Sequence, residues 1–199
     1  MAARQAPVPV PPGVQALMDA LVEAPAVVQN GRLDILGGNA LGRALYAPVF
    51  ERAGDAPPNL ARFLFLDERA GETFPEREDA ADVAVALLQV AAARSPCSRA
   101  VTGLVGELAT RSTEFRTRWA AHDIRAHRRG SKRFRHPAVG DLTLDFEALE
   151  IAGGDGLTLF GYTALPDTPA REALRLLASW AATEQRAPGA PGVSAAAER

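Results

Sequence analysis

Few residues in this sequence combine a catalytic side chain with a spacing that would let it act. His122 and Asp123 are adjacent, so on a helix their side chains point in different directions, and a dyad would need a nucleophile that the sequence does not show. Cys97 is the only cysteine and precedes a predicted helix, a position that activates thiols. The Gly-x-Ser-x-Gly and Gly-x-x-x-x-Gly-Lys motifs are absent. We therefore predict no enzymatic activity, with a small hydrolase that uses His122 and Asp123, or Cys97, as the less favoured alternative.

Metal binding and direct nucleic-acid binding are also disfavoured by the pattern. His122 and His127 are five residues apart, which does not align two ligands on a helix, and no cysteine joins them, so we predict no metal site. The run Arg125–His136 holds six basic residues in twelve and suggests a nucleic-acid patch. Phe134 is its only aromatic residue, which makes a poor stacking platform. We expect this basic face to be partly neutralised by a neighbouring acidic strand.

A set of large apolar side chains lies on elements that should meet. A plain hydrophobic core accounts for them, and a ligand pocket between a sheet and helices is the functional interpretation. The residues predicted to bury an apolar ligand are Tyr46, Phe63, Phe65, Phe115, Trp119, Phe134, Leu144 and Phe146. The residues predicted to meet a carboxylate head group by charge-assisted hydrogen bonds are Arg62, His122 and Arg133.

Composition favours one soluble domain. The chain has 199 residues, of which 47% are hydrophobic and 23% charged, and its formal net charge is −2. No secretory signal and no apolar run long enough for a membrane span are visible, so we predict a cytoplasmic protein without membrane contact. Residues 1–12 read as a proline-rich linker, 13–185 as the folded domain and 186–199 as a disordered tail.

Helical spacing of apolar residues dominates the first two thirds of the sequence. Val14 begins the first stripe, and Pro25 ends that helix. Asn39, Asn59 and Ser112 stand where helix caps are expected. The other predicted helices cover residues 39–47, 60–66, 78–94, a segment around 101–108, the segment after Ser112, and the segment after Thr168-Pro169.

Strand patterns occur in two groups. Residues 26–29 and 32–36 flank Asn30-Gly31, a pair typical of a two-residue hairpin turn. Residues 131–136, 141–147 and 157–163 form the second group, in which Leu142, Leu144 and Phe146 share one face. Strands joined by short turns must be antiparallel. The sequence thus predicts an α+β fold, with a five-stranded antiparallel sheet and several helices packed mainly on one face.

Several strings, in this order, resemble one known family. They are residues 59–67 (NLARFLFLD), 104–112 (LVGELATRS), 115–123 (FRTRWAAHD), 132–146 (KRFRHPAVGDLTLDF) and 162–166 (YTALP). Together they are similar to the MmyB-like (MltR-like) ligand-binding domain of bacterial transcription regulators, over about residues 14–181.

This resemblance implies a PAS-like fold that follows an Xre-type helix-turn-helix module and binds fatty-acid-like ligands. No helix-turn-helix pattern precedes Val14, so we expect DNA contact only through a module absent from this chain. The expected partners are a small apolar or amphipathic ligand and a second copy of the chain, and no cofactor is expected apart from a bound fatty acid or similar lipid. A protein-interaction module without a ligand is the alternative. Gly37-Gly38 replaces an aromatic residue that the family often carries before Asn39, which predicts a wider pocket mouth or a looser turn.

Overall fold

The chain is described by a computed structural model that covers residues 9–53, 57–121, 129–154 and 156–186. Its helices are α1 Pro12–Ala20, α2 Ala40–Leu45, α3 Ala47–Ala53, α4 Leu60–Leu66, α5 Ala70–Thr73, α6 Arg77–Arg94, α7 Arg99–Arg111, α8 Thr113–Ala121 and α9 Pro169–Arg186. Its strands are β1 Ala26–Gln29, β2 Ile35–Gly38, β3 Arg129–His136, β4 Gly140–Glu150 and β5 Thr158–Thr163.

The strands form one antiparallel sheet in the order β2-β1-β5-β4-β3. The first pair of strands thus lies beside the last strand, and the helices α2 to α8 form the long connection between β2 and β3. The predicted α+β fold with a five-stranded antiparallel sheet is confirmed.

The two faces of the sheet are covered unequally. The main hydrophobic core joins most helices to one face, which we call the inner face; it carries Val27, Phe134, Leu142, Leu144 and Tyr162. On the opposite face, α1 places Met18 in a smaller cluster, whose strand residues are Ala26, Val28 and Leu159. The main core covers one face of β1 and the smaller cluster covers the other, so all four residues of this strand are buried.

The turn between β1 and β2 is longer than the Asn-Gly pattern predicts. Gln29 pairs with Ile35, so the loop has five residues, and Leu33 rather than Gly31 takes the left-handed conformation, with φ of 64°. The Asn30 side chain accepts hydrogen bonds from the backbone of Arg32 and Asp34, at 2.9 and 3.1 Å. A side chain that closes a loop in this way competes with a two-residue turn.

Asn39 joins three elements from a buried position. Its Oδ1 accepts hydrogen bonds from the backbone N–H groups of Gly42, at 2.7 Å, and Ala26, at 3.0 Å. Its Nδ2 donates to three carbonyl oxygens at the end of α1, those of Met18, Leu21 and Ala24. Asn59 caps α4 in the same manner, accepting from Arg62 N at 2.9 Å and donating to Arg32 O and Asp34 Oδ1. The predicted caps Asn39 and Asn59 are confirmed.

The hairpin β3–β4 arranges part of the basic run against acidic residues. Arg129 stands opposite Glu147, and Arg135 opposite Asp141, with an ion pair of 2.8 Å in the second case. The expected cross-strand charge pairing is therefore present in the described part of the run. Residues 122–128, with the remaining basic residues and His122, lie outside the described residues.

Candidate functional site

Helix α6 carries apolar residues on two sides: one side packs in the hydrophobic core, and the other lines a cavity. Its core-facing residues are Ala81, Ala84, Val85 and Leu88, all buried. Its other apolar residues, Val83, Leu87 and Val90, are only partly buried and line a cavity. These three are the residues whose helical spacing identified the helix in the sequence.

The cavity measures about 1120 Å³ and separates α6 from the inner face of the sheet. The start of α7 and the β1–β2 loop extend its wall, and apolar atoms make up the larger share of its surface. Its sheet side is formed by β3, β4 and β5, with Lys132, Phe146, Ala148, Phe160 and Tyr162. A space of this size suits a small organic ligand.

Lys132 projects from the inner face of β3 into an aromatic cage. Its Nζ lies 4.5 Å from the ring centre of Phe74, 5.1 Å from that of Phe134 and 5.2 Å from that of Tyr46. It donates a hydrogen bond of 3.1 Å to the Tyr46 hydroxyl. Cation–π contacts of this kind favour an ammonium group, but no carboxylate among the described residues pairs with it.

The Tyr46 hydroxyl is the centre of a three-member chain of polar groups. Tyr46 lies at the end of α2 and Tyr162 on β5, and their hydroxyl oxygens are 2.5 Å apart. Both tyrosines are almost fully buried apart from the cavity that they line. The chain Lys132–Tyr46–Tyr162 thus brings three ionisable side chains from α2, β3 and β5 to one end of the cavity.

Burial sets the protonation of this chain. It lowers the pKa of Lys132 from 10.5 to about 7, because the charged ammonium loses water without gaining a counter-ion. Burial, reinforced by the neighbouring Tyr162, raises the pKa of Tyr46 well above 10.0. Burial likewise raises the pKa of Tyr162. Near neutral pH both tyrosines are neutral, and Lys132 exchanges readily between its charged and neutral forms.

The two arginines predicted to hold a carboxylate head group lie outside this aromatic cage, and each has a glutamate partner. Arg62 makes a two-pronged ion pair with Glu107, in which its Nη2 and Nε lie 2.8 and 3.0 Å from Oε2. The Arg62 guanidinium holds the pKa of Glu107 below its usual value. Arg133 lines the cavity rim but lies 3.6 Å from Glu76. Among the described cations of the cavity wall, Lys132 is the one held between aromatic rings without an acidic partner.

The predicted apolar ligand residues divide into two groups. Tyr46 and Phe146 line the cavity. The others pack within the core. Phe115 meets Phe65 edge to face, with ring centres 5.0 Å apart, and stacks on Trp119 at 5.5 Å. Phe63 packs edge-on against Phe74, and Phe134 and Leu144 lie under Lys132 in the hairpin. Ligand contact by these core residues stays a prediction.

Sequence reasoning missed Lys132 and Tyr162, although a signal was present. Residues two apart on a strand share a face, and Phe134 belongs to the inner face. Lys132 must therefore point inward and Arg133 outward, and the register pairs Lys132 with Leu144. The choice of Arg133 followed charge type rather than strand period.

The residues of the hydrolase alternative form no site in the described part of the chain. Cys97 is exposed and lies between α6 and α7, while His122 and Asp123 fall outside the described residues. Within residues 9–53, 57–121, 129–154 and 156–186, no group of three metal-ligating side chains is placed to hold an ion. None of the described helices is both long and apolar enough to traverse a bilayer.

A cavity between a helix and a sheet, with a lysine amine at one end, suits a ligand-binding domain, and the comparison with protein families supports this interpretation. The profile of the MmyB-like transcription regulator ligand binding domain matches residues 10–177. The chain belongs to this family. No curated protein sequence matches the chain.

The structure also shows where this MmyB-like domain carries Gly37-Gly38. A Cβ atom on Gly37 would approach Val10 to 2.9 Å, and one on Gly38 would lie 2.9 Å from the backbone oxygen of Ala26. Gly37 therefore allows close packing of the segment before α1 on β2, and Gly38 allows close packing of β2 on β1. Neither lines the cavity, so the expected wider pocket mouth does not arise from them.

Proposed function

We propose that this chain is the effector-sensing domain of a bacterial transcription regulator and that it binds a small apolar or fatty-acid-like effector between α6 and the sheet. The family membership gives the regulatory ligand-binding role. The observation that carries the proposal is the cavity of about 1120 Å³, which is apolar along α6 and ends in an amine without an acidic partner among the described residues.

An amphipathic ligand with one acidic end suits this wall. An alkyl tail would lie along Val83, Leu87 and Val90, and removal of each CH₂ from water contributes about 0.8 kcal/mol before the costs of binding. Its carboxylate would meet Lys132 and the Tyr46 hydroxyl. A bound anion raises the pKa of a neighbouring lysine, so binding would fix Lys132 in its charged form.

The signal would pass through α6, which forms the roof of the cavity. Its main packing partners are α4, α7 and α8 rather than the strands. Arg77 of α6 and Arg118 of α8 share Glu114, and Arg118 also pairs with Asp82. A ligand that binds one position of this helical group better than another shifts the equilibrium between them. In the cytoplasm, a homodimer would transmit that shift to helix-turn-helix modules on DNA.

The test is ligand binding to matched variants of the full chain. Wild type, Leu87→Trp and Lys132→Met are titrated with decanoate and with decanol by calorimetry and thermal shift. Leu87→Trp places a bulkier side chain where the alkyl tail would lie along α6 and should weaken binding of both ligands at least tenfold. Lys132→Met should weaken decanoate at least tenfold and decanol little, since only decanoate needs the cation.

A surface variant controls for general effects of substitution. Leu176→Trp changes an exposed leucine on α9 and should bind both ligands as wild type does. Equal binding by Leu87→Trp and wild type would contradict a site under α6. An absence of binding by every apolar ligand would favour the protein-interaction alternative, which the cavity itself disfavours because such a module needs no hollow interior.

A further inference from the structure

Lysine chemistry is confined to one place in this protein. The chain contains 22 lysine and arginine residues, and Lys132 is the only lysine among them. Arginine is the better group for holding a carboxylate, because its planar fork binds two oxygens and keeps its charge when buried. A neutral primary amine, unlike the permanently charged guanidinium, condenses with a simple aldehyde or ketone to form an imine.

The surroundings of Lys132 suit a nucleophilic amine. Phe74, Phe134 and Tyr46 enclose Nζ, and no carboxylate among the described residues holds the proton on it. Burial lowers the pKa of Lys132 to about 7, so a substantial share of the amine is unprotonated near neutral pH. Desolvation in an apolar pocket is a recognised way in which proteins activate lysine for Schiff-base formation.

The two tyrosines supply the proton transfers that this chemistry needs. The Tyr46 hydroxyl lies 3.1 Å from Nζ and 2.5 Å from the Tyr162 hydroxyl. Each hydroxyl can both donate and accept, so Tyr46 can give a proton to the carbonyl oxygen and take one back from the nitrogen while Tyr162 stays hydrogen-bonded to it. The general acid and the nucleophile are therefore neighbours within hydrogen-bond distance.

We propose that Lys132 captures aldehydes and ketones with apolar tails as a Schiff base, so that the domain senses a carbonyl compound covalently and reversibly. This inference rests on the proposed function, since the tail would occupy the same cavity under α6. It adds a chemical class of effector and a bond that the proposed function does not require.

The reaction balances without an oxidant or reductant. The neutral amine adds to the carbonyl carbon, and the C–N bond forms as the C=O π bond breaks. The carbonyl oxygen takes a proton from Tyr46, and the Tyr46 oxygen takes a proton from the nitrogen, which gives a carbinolamine and restores the tyrosine. Tyr46 then gives a proton to the carbinolamine hydroxyl, the C–O bond breaks and water leaves. The iminium nitrogen returns its proton to Tyr46, which gives the imine. An aldehyde and an amine thus become an imine and one water, and hydrolysis reverses each step.

The test traps the imine by reduction. Wild-type full chain is incubated with decanal and sodium cyanoborohydride, its intact mass is measured, and the modified peptide is located by digestion. We expect one decyl group per chain, on Lys132. Lys132→Arg, checked for folding by circular dichroism, should carry none beyond the slow background at the N-terminal amine. Tyr46→Phe should reach the same product at a rate reduced at least tenfold.

The outcomes separate this inference from the proposed function. Decanal that binds by thermal shift but leaves Lys132 unmodified would overturn covalent capture while the sensing role stands. Modification restricted to the N-terminal amine, or equal in wild type and Lys132→Arg, would also overturn it. Failure of both decanal and decanoate to bind would remove the proposed function and this inference together.

Discussion

The inner face of the sheet has a packed end and a hollow end. At the packed end, α9 lies on β4, and its residues Leu174 and Leu177 are buried together with Leu142 and Phe134. At the hollow end, α6 lies above the same sheet, and about 1120 Å³ separates them. Each end has a long helix with apolar residues, so apolar content alone does not decide whether a helix packs on a sheet.

The difference comes from what holds each helix. The apolar stripe of α9 packs directly on the sheet and on α2. Helix α6 buries Val85 and Leu88 against other helices, and its ion pairs to α8 lie on the outside. A helix fixed by neighbouring helices keeps its position when nothing fills the space beneath it. The hollow end can therefore exist without a ligand and still bind one.

The largest expected effect on stability comes from Gly42, where α2 packs against β1. A Cβ atom there would lie 2.2 Å from the backbone oxygen of Ala26, a contact that forces α2 away from β1. Gly42→Ala should lower the free energy of unfolding by about 4 kcal/mol or more, or prevent folding. Gly103→Ala, on α7 with open space around the new methyl group, is the control and should stabilise by about 0.5–1 kcal/mol. Urea denaturation measures both, and equal effects would contradict the packing at Gly42.

The next effect separates the two sides of α6. Leu88 is fully buried in the core and Leu87, its neighbour, lines the cavity. Leu88→Ala should cost about 2–5 kcal/mol because it leaves a void in packed surroundings. Leu87→Ala should cost less than about 1.5 kcal/mol, because its side chain already borders open space. Equal losses in urea denaturation would mean that α6 packs on the sheet and that the hollow end does not exist in solution.

A smaller effect per pH unit is the dependence of stability on pH that Lys132 gives to the hollow end. Its pKa is about 7 in the folded chain and 10.5 ordinarily, so between these values the unfolded chain binds more protons. The free energy of unfolding should therefore rise with pH across this window, with a slope of up to about 1.4 kcal/mol per pH unit. The neutral Tyr46 and Tyr162 face the amine from α2 and β5. Lys132→Met should lose this slope, and a wild-type curve parallel to the variant would contradict the burial of the amine.

The smallest effect is the acid sensitivity of the packed end at His136. Its Nε2 lies 3.0 Å from the Ala44 carbonyl oxygen, and its Nδ1 accepts from Ala138 N at 3.2 Å. Burial lowers the pKa of His136 below 6.5, despite opposing effects of Ala44 and Glu51. The stability given by the neutral ring is present above about pH 6.5 and is lost as the pH falls further. His136→Gln should reduce the change in melting temperature between pH 6.5 and 5 relative to wild type. The same change in both proteins would contradict this assignment.

Local patterns in the sequence were sufficient for most of the fold. The caps at Asn39, Asn59 and Ser112 are local hydrogen bonds, and each occurs as predicted. The β3–β4 hairpin follows from the alternation of inward-facing and outward-facing residues along its two strands. The prediction of a two-residue turn between β1 and β2 was wrong, because the side chain of Asn30 closes a longer loop by accepting hydrogen bonds from its backbone.

The site was harder to predict because it depends on distances between elements. Phe65, Phe115 and Trp119 are aromatic residues on helices, and nothing local distinguishes packing among helices from a cavity wall. Arg62 is a cation whose partner Glu107 lies 45 residues away. Lys132 was accessible to reasoning from strand period, but its lack of an acidic partner depends on α2, α5 and β5 together.

The most direct measurement of the central claim is native mass spectrometry of the purified wild type and Leu87→Trp, followed by denaturing extraction. We expect a co-purifying or added apolar small molecule on wild type, at up to one per chain, and a markedly lower occupancy on the variant. A wild type that stays free of ligand across acids, alcohols and aldehydes of different chain length would contradict this expectation. Equal occupancy of the two proteins would contradict a site beneath α6.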